Sequence, residues 1–197
     1  LETIGSSAFY CAGFGSINIP ASVTSIGSSA FDCSHLTTVT LNSNPSIGRD
    51  SGTYAFPTTT AVTMNLTANS AAGANWTTFY NENYSFVADA NTQVFKVALS
   101  GTGDLTMNKV DNRIVDAGTA VVLKNTVDNP VMTLTYDASV DTQTNNLKGV
   151  SAIAGETSDG KMFVLNYTEA NGVGFYRLAS GKTIGVGKAY LFYTGTL

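Results

Sequence analysis

Charged side chains are scarce in this chain, and their scarcity argues against several classes of partner. Only 12% of its 197 residues are Asp, Glu, Lys or Arg, and the formal net charge at pH 7 is −4. Soluble domains usually carry about 25% charged residues. The ten Lys and Arg residues are scattered and form no basic stripe, so we expect no nucleic acid partner. Ser, Thr, Asn and Gly replace the missing charges, a composition typical of secreted β-rich proteins.

Histidine, cysteine and long apolar runs are equally sparse. His35 is the single histidine, and the sequence pattern gives it neither a Ser-Asp nor a Cys partner for catalysis. Cys11 and Cys33 form no Cys-x-x-Cys pair, so a zinc site is not expected. No apolar run approaches the ~20 residues that span a bilayer. We expect no catalytic residue, no cofactor, no metal ligand and no membrane span in this stretch.

The acidic residues do not define a specific site. Asp128, Asp137 and Asp141 lie among asparagines in one stretch and offer oxygen ligands to calcium, but they lack the D-x-[DN]-x-[DN]-G loop. Turn formation explains Asp and Asn there at least as well, so calcium binding stays open. Fourteen acids also allow many carboxylate pairs, and the sequence singles out none as a glycosidase pair.

The chain does contain an internal repeat. The phrase IGSSAFYC at residues 4–11 returns as IGSSAFDC at 26–33, an offset of 22 residues. A fixed period in the twenties with apolar positions held is typical of a stacked solenoid. Alternation predicts short strands at Ser16–Ile19 and Thr38–Leu41, and each Ala-Phe segment predicts a tight helical turn with its Phe in the interior. Because the chain begins in mid-repeat, we expect a preceding segment, and the lack of a signal peptide decides nothing.

A third repeat is irregular. Ile47-Gly48 restarts the phrase, but Phe56 arrives four residues late, after an insert. Counting from Phe56 predicts that Met64 and Leu66 are equivalent to Val39 and Leu41, the apolar strand residues of the second repeat. We expect the insert to form an exposed loop. Its Arg49, Asp50 and Tyr54 are either specificity residues or part of a tolerated surface insertion.

Two further local predictions concern the repeat region. Trp76, Phe79 and Tyr80 have helical spacing, which predicts a short helix in residues 68–80 that caps the last coil; a sugar-stacking role for Trp76 is the less favoured alternative. Stacked coils place equivalent Cα atoms ~4.8 Å apart, so Cys11 and Cys33 are within disulfide range. Free thiols that pack as small buried groups are the favoured alternative.

The repeated phrase resembles a known family. I-G-x-x-A-F-x-x-C-x-x-L-x-x-V-x-L, with I-P-x-S-V-T-x-I-G between copies, is similar to the BspA-like leucine-rich repeat of surface proteins from Bacteroidetes and from some spirochaetes and protozoa. The resemblance covers residues 1 to about 80. It implies a solenoid, a non-enzymatic interaction or adhesion role, and an extracellular or cell-surface location. Phe14 replaces the first conserved Leu, and the third repeat lacks its Cys. Such departures are expected in terminal repeats, whose sequences diverge from the consensus.

The second region, from about residue 88 onward, has the residue pattern of an all-β domain. Alternating runs predict six strands, at Thr92–Leu99, Ala120–Lys124, Val131–Tyr136, Lys161–Tyr167, Val173–Leu178 and Lys188–Tyr193. The phrase around Gly118 is echoed around Gly187, and both glycines should adopt a backbone conformation that other residues resist. These phrases also resemble an all-β module at the C-terminus of many secreted Bacteroidetes proteins, for which we know no established activity.

The predicted fold is therefore mainly β: a leucine-rich-repeat solenoid of about three coils plus a capping helix over residues 1–87, followed by an all-β sandwich or barrel-like domain over 88–197. We expect a secreted or cell-surface protein that binds an extracellular protein or glycan through its repeats. The alternatives are a carbohydrate-binding or carbohydrate-active accessory module and a purely structural stalk. The exposed N-terminal repeat edge also predicts self-association or further repeats.

Candidate binding residues follow from the strand patterns. The polar positions of the repeat strands should line the ligand face, the insert should add two residues, and the late strands should add tyrosines from either an outward aromatic surface or the core. The candidates from the repeat strands are Asn18, Thr38, Thr40 and Asn65. Those from the insert are Arg49 and Tyr54, and those from the late strands are Tyr176 and Tyr193.

Overall fold

A computed structural model describes residues 1–33, 35–137, 141–155 and 161–194, and within these ranges the chain forms strands and no helix. Accordingly, no described residue belongs to a helix long and apolar enough to cross a bilayer. In chain order the strands are β1 Thr3–Ile4, β2 Ser16–Ile19, β3 Ser25–Ile26, β4 Thr38–Leu41, β5 Ser46–Ile47, β6 Ala61–Asn65, β7 Asn69–Ala71, β8 Ala74–Tyr80, β9 Ser85–Ala88, β10 Thr92–Leu99, β11 Leu105–Val110, β12 Ile114–Val115, β13 Ala120–Asn125, β14 Val131–Thr135, β15 Leu147–Gly149, β16 Ala154–Gly155, β17 Lys161–Thr168, β18 Gly172–Arg177, β19 Thr183–Ile184 and β20 Ala189–Tyr193.

The repeats stack as two parallel ladders. One ladder joins β2, β4 and β6, and in it Ile19 lies opposite Leu41. The other joins β1, β3 and β5, where Ile4, Ile26 and Ile47 are in register. These isoleucines are all buried, so the repeated apolar positions form the interior, as the period predicts.

The repeated phenylalanines form a stack between the ladders. The rings of Phe9 and Phe31 are 5.1 Å apart, and those of Phe31 and Phe56 are 5.4 Å apart. The Ala-Phe segments are turns and not helices, because bonds within the segment alternate with bonds to the next coil. Tyr10 N donates to the Ser7 carbonyl at 3.1 Å, whereas Phe9 N donates to the Ala30 carbonyl of the next coil at 2.8 Å.

The third repeat differs from its predicted register. Leu41 lies opposite Met64, and Val62 takes the place that counting had assigned to Met64; the prediction of Met64 and Leu66 as the matching pair is wrong by two residues. The insert folds back on itself through paired bonds between Asp50 and Thr53. The chain then reaches β6 in fewer residues than the second repeat uses, which offsets part of the insertion.

The predicted capping helix in residues 68–80 is wrong, because this segment forms β7 and β8. β8 pairs antiparallel with β13 along its length, and its consecutive threonines favour a strand. In a strand Trp76 and Phe79 point to opposite faces, and they pack in different cores. The last repeat strand is instead covered at its edge by β14, which pairs antiparallel with β6.

Two sheets contain strands from both sides of residue 88. The six-stranded sheet has the order β12-β9-β14-β6-β4-β2, and the five-stranded sheet has the order β11-β10-β13-β8-β7. The division of the chain into units at 1–87 and 88–197 stays a prediction, since strand order does not test which part folds alone. The six strands predicted for the second region are confirmed to within a residue or so at their ends.

The sheets pack face to face in layers. The first core lies between the six-stranded sheet on one side and the three-stranded sheet β1-β3-β5 and the five-stranded sheet on the other. The second lies between the five-stranded sheet and the four-stranded sheet β15-β20-β17-β18, and the third between that sheet and the β16-β19 pair. Representative residues of the three cores are Met64, Leu123 and Met132; Val97, Val122 and Leu191; Val150, Met162 and Ile184. The five-stranded and four-stranded sheets therefore face each other across the second core, but β7 and β8 of the five-stranded sheet precede residue 88. A sandwich or barrel-like domain confined to residues 88–197 stays a prediction.

The two echoed glycine phrases form the same turn. Gly118 and Gly187 have φ angles of 75° and 77°, values that glycine adopts without strain, so that prediction is confirmed. Each turn leads from a two-residue strand, β12 or β19, into a longer one, β13 or β20. Each also carries the chain from one sheet to another.

Candidate binding surfaces

The outward side of the six-stranded sheet brings the predicted repeat residues together. Alternation buries Ile19, Leu41 and Met64 and turns the residues between them outward. We call this side of β2, β4, β6 and β14 the outer face. Its members are Ser16, Asn18, Thr38, Thr40, Ala61, Thr63, Asn65, Val131, Thr133 and Thr135.

The outer face is uncharged and its side chains form rows. Asn18 lies opposite Thr40, Thr40 opposite Thr63, and Thr63 opposite Thr133. Asn18, Thr38 and Asn65 are exposed and Thr40 is half-buried. The four predicted residues therefore share one surface, and their role in binding stays a prediction.

Asparagine side chains join the strands along one edge of the outer face. Asn42 Nδ2 donates to Asn18 Oδ1 and to the Ile19 carbonyl, and Asn65 Nδ2 donates to Asn42 Oδ1 at 3.2 Å. Asn42 was not among the predicted residues, although Asn follows both Leu41 and Met64 in the sequence. These bonds fix the orientation of the amides before any ligand arrives.

A second surface forms where the insert meets the end of β14. The Arg49 guanidinium lies 4.7 Å from the ring centroid of Tyr54 and donates to its hydroxyl at 3.2 Å. Tyr54 also packs edge-on against Tyr136 at 5.2 Å. We call these residues the Arg49–Tyr54–Tyr136 cluster. Tyr136 follows β14 at the end of the sheet where β6 begins, so the cluster adjoins the outer face.

A buried tyrosine supports this cluster from below. Tyr84 packs against Tyr54 at 5.9 Å, accepts a bond from Ala55 N at 2.7 Å and donates to the Gly48 carbonyl at 3.1 Å. Burial raises the pKa of Tyr84 to about 12, and burial followed by the neighbouring Tyr54 raises the pKa of Tyr136. Arg49 and Tyr136 are exposed, and Arg and Tyr are the residue types that most often anchor protein interfaces.

The structure does not bring Tyr176 and Tyr193 together. Tyr176 pairs with Val164, which faces the third core, whereas Tyr193 is on the side of Leu191 and the second core. The Tyr176 hydroxyl donates to the Gly172 carbonyl at 2.7 Å, and the Tyr193 hydroxyl donates to the Gly101 carbonyl at 3.3 Å. The two tyrosines therefore lie on opposite faces of the four-stranded sheet, and a binding role for either one stays a prediction.

Cys33 and the asparagines of the acid-rich segment form hydrogen bonds with the backbone of the fold. Cys11 is exposed, Cys33 is buried, and neither is in a disulfide; Cys33 Sγ donates to the Phe9 carbonyl at 2.8 Å. Asn145 and Asn146, near the proposed calcium acids, accept bonds from Val97 N and Leu99 N. In the part of the chain that the structure describes, no three His, Cys, Asp or Glu residues are grouped to hold a metal ion.

Comparison with protein families identifies the repeats. Residues 1–88 match the family model described as the BspA type leucine-rich repeat region, in six copies. This match confirms the resemblance for the repeat region and extends it through β9. No curated protein and no solved structure matches the chain, so the resemblance of the second region stays an expectation.

Proposed function

We propose that this chain is a non-enzymatic, secreted or cell-surface interaction protein. Its repeats form a short solenoid that binds an extracellular protein or glycan through the outer face and the Arg49–Tyr54–Tyr136 cluster. The observation that supports this most directly is the continuity of the uncharged outer face across β2, β4, β6 and β14. The leucine-rich-repeat match supports an interaction role, because stacked repeats present extended binding surfaces.

The physical character of the outer face suits association. Hydroxyl and amide groups cost less to remove from water than ionised groups do. The side chains stand on paired strands, and some are already held by the asparagine bonds, so little conformational freedom is lost on binding. The adjoining Arg49 and Tyr54 supply anchoring contacts at one end of this surface.

Binding of the complete chain to an array of immobilised extracellular matrix proteins and glycans tests the proposal. A variant with both Thr38→Lys and Thr133→Lys places two ammonium groups on exposed outer-face positions. We expect it to bind any hit about tenfold more weakly or worse, because a partner must then desolvate those charges. Arg49→Ala should weaken the same hit.

The control is Thr106→Lys, which adds one ammonium group at an exposed position on β11, outside the six-stranded sheet. It should bind as the unmodified chain does. Equal affinity of the Thr38→Lys/Thr133→Lys variant, with circular dichroism unchanged, would remove the outer face as the binding surface. An array without any hit would count against adhesion to these ligand classes.

A further inference from the structure

A cleft lies between the repeats and the four-stranded sheet. It consists of two cavities of about 380 and 650 Å³ that share Lys188 and Thr67 in their walls. The first cavity is walled by β8, β17 and β18, and the second by the loops that follow β2 and β4 together with residues around 151 and 185. We call the two together the Lys188 cleft.

Lys188 gives the cleft a positive charge. Its ammonium donates to Thr77 Oγ1 at 2.8 Å, which uses one of its three donors. Burial lowers the pKa of Lys188, which shows that the ammonium is partly withdrawn from water. No Asp or Glu lines either cavity, and among the described residues no carboxylate forms an ion pair with Lys188. The cleft is therefore a cationic site in a protein of net charge −4.

The backbone on both sides of Lys188 is held by hydrogen bonds to β8. The following amide, Ala189 N, donates to Thr78 Oγ1 at 2.9 Å, and the preceding Gly187 carbonyl accepts from Tyr80 N at 2.9 Å. These bonds fix the start of β20 against β8. An ammonium positioned by rigid strands is better organised for a ligand than one on a free surface side chain.

Two buried polar atoms at the cleft have no hydrogen-bond partner among the described residues. One is the indole donor Nε1 of Trp76, which lines the first cavity, and the other is the acceptor Oδ1 of Asn44, which lines the second. The Asn44 amide nitrogen is fully engaged with the Tyr80 and Gly187 carbonyls at 3.0 and 2.9 Å. Both atoms are shielded from solvent, so the groups that a ligand would meet in the cleft are the Lys188 ammonium and the hydroxyl and amide side chains of its walls.

The remaining lining combines hydroxyl and amide groups with an apolar wall. Such a mixture matches a sugar ring, which has hydroxyls at its rim and C–H groups on its faces. The apolar wall includes Trp76 and Val173 in the first cavity and Leu66 and Ile153 in the second, and the polar groups include Asn166 in the first and Ser43 in the second.

We propose that the Lys188 cleft binds a saccharide that carries a carboxylate, with the carboxylate at the Lys188 ammonium and the ring in the Trp76 cavity. The charge selects an anion, and the hydroxyl and amide lining selects a polyhydroxylated one. Uronates and sialates share this chemistry. The cleft meets the outer face at Asn42, which lines the second cavity and bonds to Asn18 and Asn65. Lys188 and Trp76 lie outside that face, so this inference goes beyond the proposed function and is tested separately from it.

Trp76 makes the test direct, because it is the only tryptophan in the chain. The complete chain is titrated with 3′-sialyllactose and with tri-galacturonate while the tryptophan emission is followed, and lactose and a neutral galactose trisaccharide serve as matched controls. We expect a saturable change with at least one acidic saccharide, weaker binding of its neutral counterpart by about tenfold or more, and loss of affinity as salt is raised. The two acidic probes distinguish sialate from uronate recognition.

Lys188→Met keeps an unbranched side chain that is one atom shorter and removes the charge, so it should weaken acidic binding about tenfold or more. Lys109→Met removes a charge from an exposed position of β11 and should have no effect. The comparison of acidic with neutral saccharides needs no variant, so the test holds even where Lys188→Met fails to fold. The proposal is overturned by no binding of either acidic saccharide, by equal binding of the neutral ones, or by unchanged affinity of a folded Lys188→Met chain.

Discussion

The ring of Phe31 stacks on that of Phe56 with a 5.4 Å centroid separation and 10° between the planes, although an insert separates them. On its other side Phe31 stacks on Phe9 at 5.1 Å and 13°. Phe31 and Phe56 are fully buried. The coils are thus aligned by their aromatic interior, and the inserted residues of the third repeat are accommodated outside the stack.

Phe31→Ala should therefore be strongly destabilising. Removal of a fully buried phenylalanine leaves a cavity between two rings, and we expect the free energy of unfolding to fall by about 3–5 kcal/mol. Urea unfolding followed by circular dichroism measures this change. Tyr10→Ala is the control, because Tyr10 is adjacent to the same turn but 59% exposed, and its loss should be within about 0.5 kcal/mol. Comparable losses for both variants would contradict the role assigned to the stack.

A substitution at Gly27 tests how closely the backbones of adjacent coils pack. A Cβ at Gly27 would collide with the backbone of Ser6, and one at the equivalent Gly48 would lie 2.8 Å from Ser28 N. Gly27→Ala should lower the free energy of unfolding by about 1–3 kcal/mol, because backbone atoms must move apart. Gly5 holds the same place in the first repeat with nothing within 4 Å, so Gly5→Ala should not destabilise. Equal thermal unfolding temperatures for the two variants would show that the coils yield more easily than the geometry indicates.

The repeat interior was predictable because it is local. The positions of Ile26, Phe31 and Leu41 follow from one period, and each contacts its counterpart in the next coil. The same holds for the strands of the second region, where alternation and β-branched residues mark each segment. Both signals come from neighbours in the sequence, so no knowledge of the tertiary fold was needed.

The errors came from contacts between distant residues. The spacing of Trp76 and Phe79 matches one face of a helix, and only the pairing of β8 with β13 shows that the segment is a strand whose two residues enter different cores. Tyr136 joins Tyr54 from beyond the repeats, and Lys188 meets Thr77 across 111 positions. No periodic pattern carries such information, and for this reason the candidate face was predicted from the sequence while the cleft was not.

Asp89 links stability to acid pH. Desolvation alone would raise its pKa, but bonds from Thr92 Oγ1 at 2.6 Å, from Val131 N at 2.9 Å and from Asn91 N at 2.8 Å outweigh it, and the pKa is lowered. The ionised carboxylate therefore stabilises the fold at pH values above the unfolded-state pKa, about 3.9, and this contribution is lost as pH falls through the lower folded-state value.

Asp89→Asn should accordingly lower stability at neutral pH, by about 1–3 kcal/mol, and should lose less stability on acidification than the unmodified chain. Urea unfolding at a series of pH values from neutral to below the carboxyl range measures both curves, which we expect to converge at the acid end. Asp111→Asn, at an exposed turn position, is the control and should leave the curve unchanged. Parallel curves for Asp89→Asn and the unmodified chain would contradict the linkage.

Tyr84 makes the stability of the fold depend on pH in the alkaline range, where stability falls as pH rises. Burial raises its pKa to about 12, so the neutral hydroxyl is favoured in the folded chain; its contribution is complete below the unfolded-state value of about 10 and is lost as pH rises toward 12. Tyr84→Phe removes the acceptor of Ala55 N and the donor to the Gly48 carbonyl, and we expect a loss of about 1–3 kcal/mol at neutral pH. It should also flatten the alkaline limb of the stability curve. Tyr167→Phe, at a side chain 42% exposed, should do neither, and an alkaline limb that is equally steep in Tyr84→Phe would show that the titrating group lies elsewhere.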